Sequence, residues 1–231
     1  RVSTGAYSTA TINNWGSYNS ISVIVGTRSL SLSAGVATFD NLAATTGANN
    51  NIKLGFSVSG INYNLTSAFI ALAPNVGTQL ALDSTAAANR VAGVAQASDY
   101  IVRLLDAYGN TTNATSTVSV VVAAVSASDG VTVRRTVGTF NIVSGSSVVI
   151  IPKNNFFVQQ VGDYKFSFSS SGLVTAYTSQ FTITNAAADK LVYLDNVPAS
   201  IQSGLTFSPA IRVQVQDTYN NPVVNATVSV S

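Results

Sequence analysis

Apolar and polar residues change places at almost every step along this chain. The stretches "IKLGFSVS" (52–59), "YKFSFSSS" (164–171), "SQFTIT" (179–184) and "IRVQVQD" (211–217) all alternate with a period of two. That pattern turns one face of a β-strand to a core and the other to water. No stretch carries a convincing period of 3.6. Val, Ile, Thr, Tyr and Phe dominate the runs, and "ANNN", "DAYGN", "SASDG" and "YNNP" punctuate them with turn formers. The longest apolar run, "VSVVVAAVSA" (118–127), is Val-rich and broken by Ser. It falls well short of the ~20 residues of a membrane helix and reads as a buried strand. The pattern predicts an all-β chain without membrane insertion.

The strands repeat. "VRLLDAYGN" (102–110) returns as "VQVQDTYNN" (213–221), with Asp106 matched to Asp217, Tyr108 to Tyr219 and Asn110 to Asn221. Further along, Gly26 falls on Gly138, Leu30 on Ile142, Leu54 on Phe166, Phe56 on Phe168 and Phe69 on Phe181, keeping apolar against apolar. A constant shift of about 112 residues is the length of one immunoglobulin-like sandwich, so the expected fold is a tandem of such β-sandwiches. Three segments follow: 1–73, a module without its leading strands; 74–185, a complete module; and 186–231, the leading strands of a third. Phe56, Phe69, Phe168 and Phe181 are expected to face inward. Each "D-x-Y-x-N" is expected to close a hairpin in which the Asp accepts backbone N–H bonds two residues on, while Gly109 and Asn220 take a positive φ.

Composition narrows the chemistry. The 231 residues include no Cys, His, Met or Glu, so all nine acids are Asp. Thiol catalysis, His-based proton transfer and His or Cys metal sites have no residues to use, and no cofactor is expected. Nothing resembles a nucleophile with its base, so an enzyme is not expected. Charged residues make up 9% of the chain, far below the usual ~25%, and solubility rests on hydroxyls and amides. Eleven basic residues give a net charge of +2 and are scattered singly apart from Arg134 and Arg135, so no stripe awaits nucleic acid.

Strand, Asp, a short turn ending in "GN" or "NNP", then a Val/Thr-rich strand resembles the bacterial Ig-like repeats of invasin- and intimin-type adhesins and of surface-layer proteins. "GVATFDNL" (35–42), followed by "FSVSG" and "SAFIAL", is similar to the later strands of those repeats, and the likeness covers most of the chain. The middle segment departs from it, with "SSVVIIPKNN" (146–155) in place of "GVATFDNLAA". The resemblance implies an extracellular structural or adhesive array on the cell surface or secreted, and no reaction.

Several site readings accompany this. Asn64, Asn110, Asn113 and Asn225 begin Asn-x-Ser/Thr sequons, though a chain with 21 Asn and so much Ser and Thr carries several by chance. Trp15, with Tyr18 nearby in "NNWGSYN", offers a ring for stacking on a sugar; the alternative is burial between sheets. Capping of the turns is the first expectation for Asp106 and Asp217. Calcium is the alternative for these two and for Asp83 and Asp195 near the module starts, but the nine Asp form no D-x-D-x-D cluster. The expected function is a structural component of a surface layer, fibre or adhesin stalk. A carbohydrate-binding or adhesive module of a larger secreted protein, with a glycan or host surface as ligand, is the rival. The two partial modules suggest either a stretch of a longer array or head-to-tail self-association, with residues 191–231 of one molecule completing the first module of the next.

Overall fold

The computed structural model describes residues 10–14, 24–45, 51–58 and 65–230. Among them the chain is all-β apart from one 3₁₀ turn at Lys153–Asn155. Trp15, Tyr18 and Asn64 lie outside the described residues. The first strands are β1 (Ala10–Asn14), β2 (Ile24–Val25), β3 (Ser29–Leu30), β4 (Ala43–Ala44), β5 (Asn51–Ile52), β6 (Leu54–Val58), β7 (Leu65–Thr66) and β8 (Ile70–Ala71). Then come β9 (Gly77–Leu82), β10 (Arg90–Val91), β11 (Tyr100–Asp106), β12 (Val118–Ser126), β13 (Val133–Ile142), β14 (Val148–Ile151), β15 (Gly162–Ser169), β16 (Ala176–Tyr177) and β17 (Phe181–Thr184). Last are β18 (Ala188–Tyr193) and β19 (Val213–Asp217).

The chain divides into two compact units. One comprises residues 1–79, 104–115 and 145–147; the other comprises 80–103, 116–144 and 148–231. In the first, β3-β1-β6-β7 form one sheet and β2-β4 and β5-β8 form separate pairs. In the second, β12 is central, with β13 on one side and β15 on the other, and β16 and β17 both pair with β15. The order β3-β1-β6-β7 therefore repeats as β13-β12-β15-β16. A second sheet, β14-β11-β9, supplies the other layer of a β-sandwich. Its Tyr100 ring stands 5.6 Å from that of Phe168 and 4.6 Å from that of Phe156. Phe156 in turn meets Phe166 edge-on at 5.0 Å, and Phe166 stacks on Phe181 at 4.8 Å. All four phenylalanines are at most 1% exposed, and such ring pairs contribute ~0.5–1.5 kcal/mol each beyond their buried area. β12 is buried on both faces from Val122 to Val125, where two bulges interrupt its pairing with β13 and break the alternation.

The core expectation holds at Phe168 and Phe181, but Phe56 is only half-buried and Phe69 is 69% exposed, with the Lys53 ammonium 4.2 Å from its ring centre. The reason is register. β15 pairs Tyr164 with Phe181, whereas the matching ladder pairs Ile52 with Ile70, not Phe69. A slip of one residue sends the side chain to the opposite face. The departure at "PKNN" also has a local cause: Pro152 cannot donate to a ladder, and the 3₁₀ turn follows it where the earlier segment forms β4.

Candidate functional site

The two D-x-Y-x-N loops are built from the same set of bonds. In the first, Asp106 Oδ1 accepts from the backbone N–H groups of Tyr108 and Asn110, both at 2.9 Å. Its Oδ2 accepts from Asn110 Nδ2 at 3.0 Å and from the backbone N–H of Asn75 at 3.0 Å. In the second, Asp217 Oδ1 accepts from Tyr219 and Asn221 N–H at 2.9 Å each, and Oδ2 from Asn221 Nδ2 and Ala186 N–H at 2.8 Å each. The upstream donor stands 31 residues before the Asp in both. Each hairpin is brief, since a single bridge, Leu105 to Thr111 or Gln216 to Pro222, is all that follows the turn. The continuation of β11 then leaves for the other sheet, where β12 pairs with β13 and β15. Gly109 and Asn220 carry φ of 81° and 68°, the left-handed geometry that Gly and Asn adopt most readily.

Both carboxylates are 0% exposed. They are sealed by their own loops, whose neighbouring residues Ala107, Gly109, Thr218 and Asn220 remain exposed. Burial by itself pushes each carboxyl up. The Asn110 or Asn221 side chain and three backbone N–H groups outweigh it and hold both Asp106 and Asp217 below the usual carboxylate range. An anion surrounded by four N–H donors is stabilised as an anion. Its lone pairs point at those donors, which leaves little for a calcium ion needing six to eight oxygens. Among the described residues no group of three His, Cys, Asp or Glu is placed to hold a metal.

The Asn side chain extends the tie. Asn221 Nδ2 also donates to the Gln159 carbonyl at 2.7 Å, and its Oδ1 accepts from Val161 N–H at 3.0 Å. Tyr219 lies directly over Gly93, where a Cβ would come within 2.1 Å of the phenol oxygen. Asp217, Asn221 and Tyr219 thus fix β19 to three separate segments of the second unit: 186, 159–161 and 93. In the first unit Asn110 Nδ2 reaches the Thr45 carbonyl at 3.3 Å. Tyr108 there is 50% exposed, and a cavity of about 280 Å³ opens between residues 44–45, 72–75 and 106–110. The loops are accordingly clamps between strand ends and distant backbone, beyond the local turn capping that the sequence suggests. An ion pair repeats as well: Arg103 grips both oxygens of Asp83, and Arg212 both of Asp195.

The sequon asparagines separate sharply. Asn110 is engaged in the clamp, whereas Asn113 and Asn225 are exposed. Among the described residues β18 and β19 form a two-stranded sheet, and Leu191, Tyr193 and Val213 are 57, 65 and 40% exposed. Leu80 and Val102, which match Leu191 and Val213 in the repeat, are 5 and 0% exposed beneath the second layer of the sandwich.

No family model matches the chain, and no curated protein matches it. Among solved structures it is similar to domains 4–9 of the surface layer protein SbsC, with 16% identity over 94% of this chain and a TM-score of 0.25. It is also similar to InvD of Yersinia pseudotuberculosis, with 16% identity over 94% and a TM-score of 0.29, and to the BSP domain of a biofilm associated protein, with 13% identity over 80% and a TM-score of 0.24. The chain spans 29%, 62% and 26% of those three chains. Scores this low assign no residue of the clamp, which stands on its own geometry.

Proposed function

We propose that this chain is a structural segment of a secreted or cell-surface assembly, a surface layer, fibre or adhesin stalk, in which β-sandwich modules 1–73, 74–185 and 186–231 are joined by the two clamps. The observation that carries the reading is the recurrence of one four-bond carboxylate cage in both loops, each with its upstream donor 31 residues away. A recurrent link between a strand end and the start of its own module, carried on to the preceding module by Asn110 at the Thr45 carbonyl and Asn221 at the Gln159 carbonyl, resists pulling and bending, as an array under tension requires. The scarcity of charge suits lateral packing, and such contacts would persist in high salt. The uncovered apolar face of β18 and β19 is the surface that the self-association reading assigns to a second sandwich layer.

The test is made on cells of the natural source. Antibody against the chain is expected to label intact cells or the material they shed, and electron microscopy of that material to show a filament or lattice. Labelling confined to permeabilised cells would overturn the reading.

A further inference from the structure

The structure assigns Asn113 and Asn225 as acceptors of an N-linked oligosaccharide and removes Asn110 from the candidates. Both belong to the tripeptide Asn-Ala-Thr, at 113–115 and 225–227. Asn113 stands three residues past Asn110 and Asn225 four past Asn221, so each lies just beyond its clamp. Both are exposed, and among the described residues neither carboxamide makes a hydrogen bond. Asn113 projects between two buried neighbours, Thr112 and Ala114, whose backbone is tied to Leu104 and Ser146. Its side chain is therefore presented outward from a fixed loop. Asn225 sits in a turn at φ 62°. Asn110, in contrast, donates through Nδ2 to Asp106 and to the Thr45 carbonyl. Modifying that nitrogen would dismantle the cage around a buried anion.

The chemistry is a group transfer from a polyprenyl-pyrophosphate-linked oligosaccharide. The Asn Nδ2 attacks C1 of the first sugar and the N–C1 bond forms. The C1–O bond to the pyrophosphate breaks, the lipid pyrophosphate departs and one amide proton is lost to a base, with no change of oxidation state. A chain with 9% charged residues and apolar side chains such as Val224 at 69% exposure gains a bulky hydrated cover at these points. The inference rests on the secreted reading, because the transfer acts on exported chains.

The experiment is glycopeptide mapping of the full chain purified from its natural source, together with intact-mass measurement of N113Q and N225Q expressed there. Glycan on the peptides containing Asn113 and Asn225, an unmodified Asn110, and loss of one glycan mass in each variant are expected. Unmodified Asn113 and Asn225, or occupancy at Asn110 equal to theirs, would overturn the assignment. A chain found on the cell surface yet unmodified at both positions sinks this inference alone, whereas an unmodified chain confined to the cell interior sinks the secreted reading with it.

Discussion

Replacing Asp217 by Asn isolates the clamp with little change in shape. In D217N the side-chain oxygen can still accept the Tyr219 and Asn221 N–H bonds. The new NH₂ group, however, would face Asn221 Nδ2 and Ala186 N–H, which now meet Oδ2 at 2.8 Å each. Two donors, the buried Asn221 amide and the half-buried Ala186 N–H, lose their acceptor, and each such loss costs up to ~1–3 kcal/mol. The sum, roughly 2–6 kcal/mol, is large against the ~5–15 kcal/mol that holds a domain together. The loss falls on β18 and β19, a two-stranded sheet with exposed apolar residues that is marginal by itself. Hydrogen exchange read by mass spectrometry is therefore expected to show residues 186–221 opening in D217N, while β12 and β15 keep their protection. The same residues should become the first site of proteolytic nicking. Unchanged protection at 186–221, or uniform loss across the whole second unit, would refute the view that Asp217 works as a clamp.

The folded carboxyls of Asp83, Asp106, Asp129, Asp195 and Asp217 all sit below their unfolded value, Asp129 at about 2. Their contribution is thus present above the unfolded pKa of ~3.9 and lost as pH falls through the folded values. With no His or Glu, the melting temperature is expected to stay flat from about pH 5 to 8 and drop below about 4, with a shallower acid limb in the D106N/D217N double variant; calorimetry across pH checks both. Phe168→Ala is expected to cost ~3–5 kcal/mol in denaturant unfolding, and Phe69→Ala to be close to neutral because its ring is 69% exposed. Gly93→Ala places a Cβ within 2.1 Å of the Tyr219 hydroxyl at φ 81°, and a double-mutant cycle with Tyr219→Ala should recover part of the loss, leaving the backbone cost of ~1–2 kcal/mol.

Period-two alternation and the displaced repeat make the all-β sandwich legible, because strand faces and turn formers are local properties that each residue reports about itself. The expectation at Phe69 fails for a physical reason. A repeat aligned residue to residue carries no information about which partner a strand will take, and the Ile52–Ile70 register moves the ring outward. The half of the clamp that closes each turn is likewise visible in "D-x-Y-x-N", since its donors lie within four residues of the Asp. The other half is not. Its donors are the backbone N–H groups of Asn75 and Ala186, and a peptide N–H is the same in every residue but proline, so no side chain announces it. The one signal is the equal spacing of 31 residues, which becomes meaningful once the acceptor is known.

Why a carboxylate holds this position, where an amide or hydroxyl would avoid burying a charge, follows from the donor count. Four N–H groups converge on each side chain, and a carboxylate, which accepts on both oxygens and donates from neither, meets all of them. Asn presents one accepting end and one donating end, and Ser brings a single short-reaching oxygen. The charge that makes the cage tight also makes it costly to open, because an Asp released from its donors must be hydrated or protonated. A joint made in this way needs neither a cation nor a disulfide, which fits a chain without Cys and with few charges. It holds at neutral pH regardless of redox state and ionic strength, and it loosens in acid, where protonation turns one accepting oxygen into a donor facing another donor.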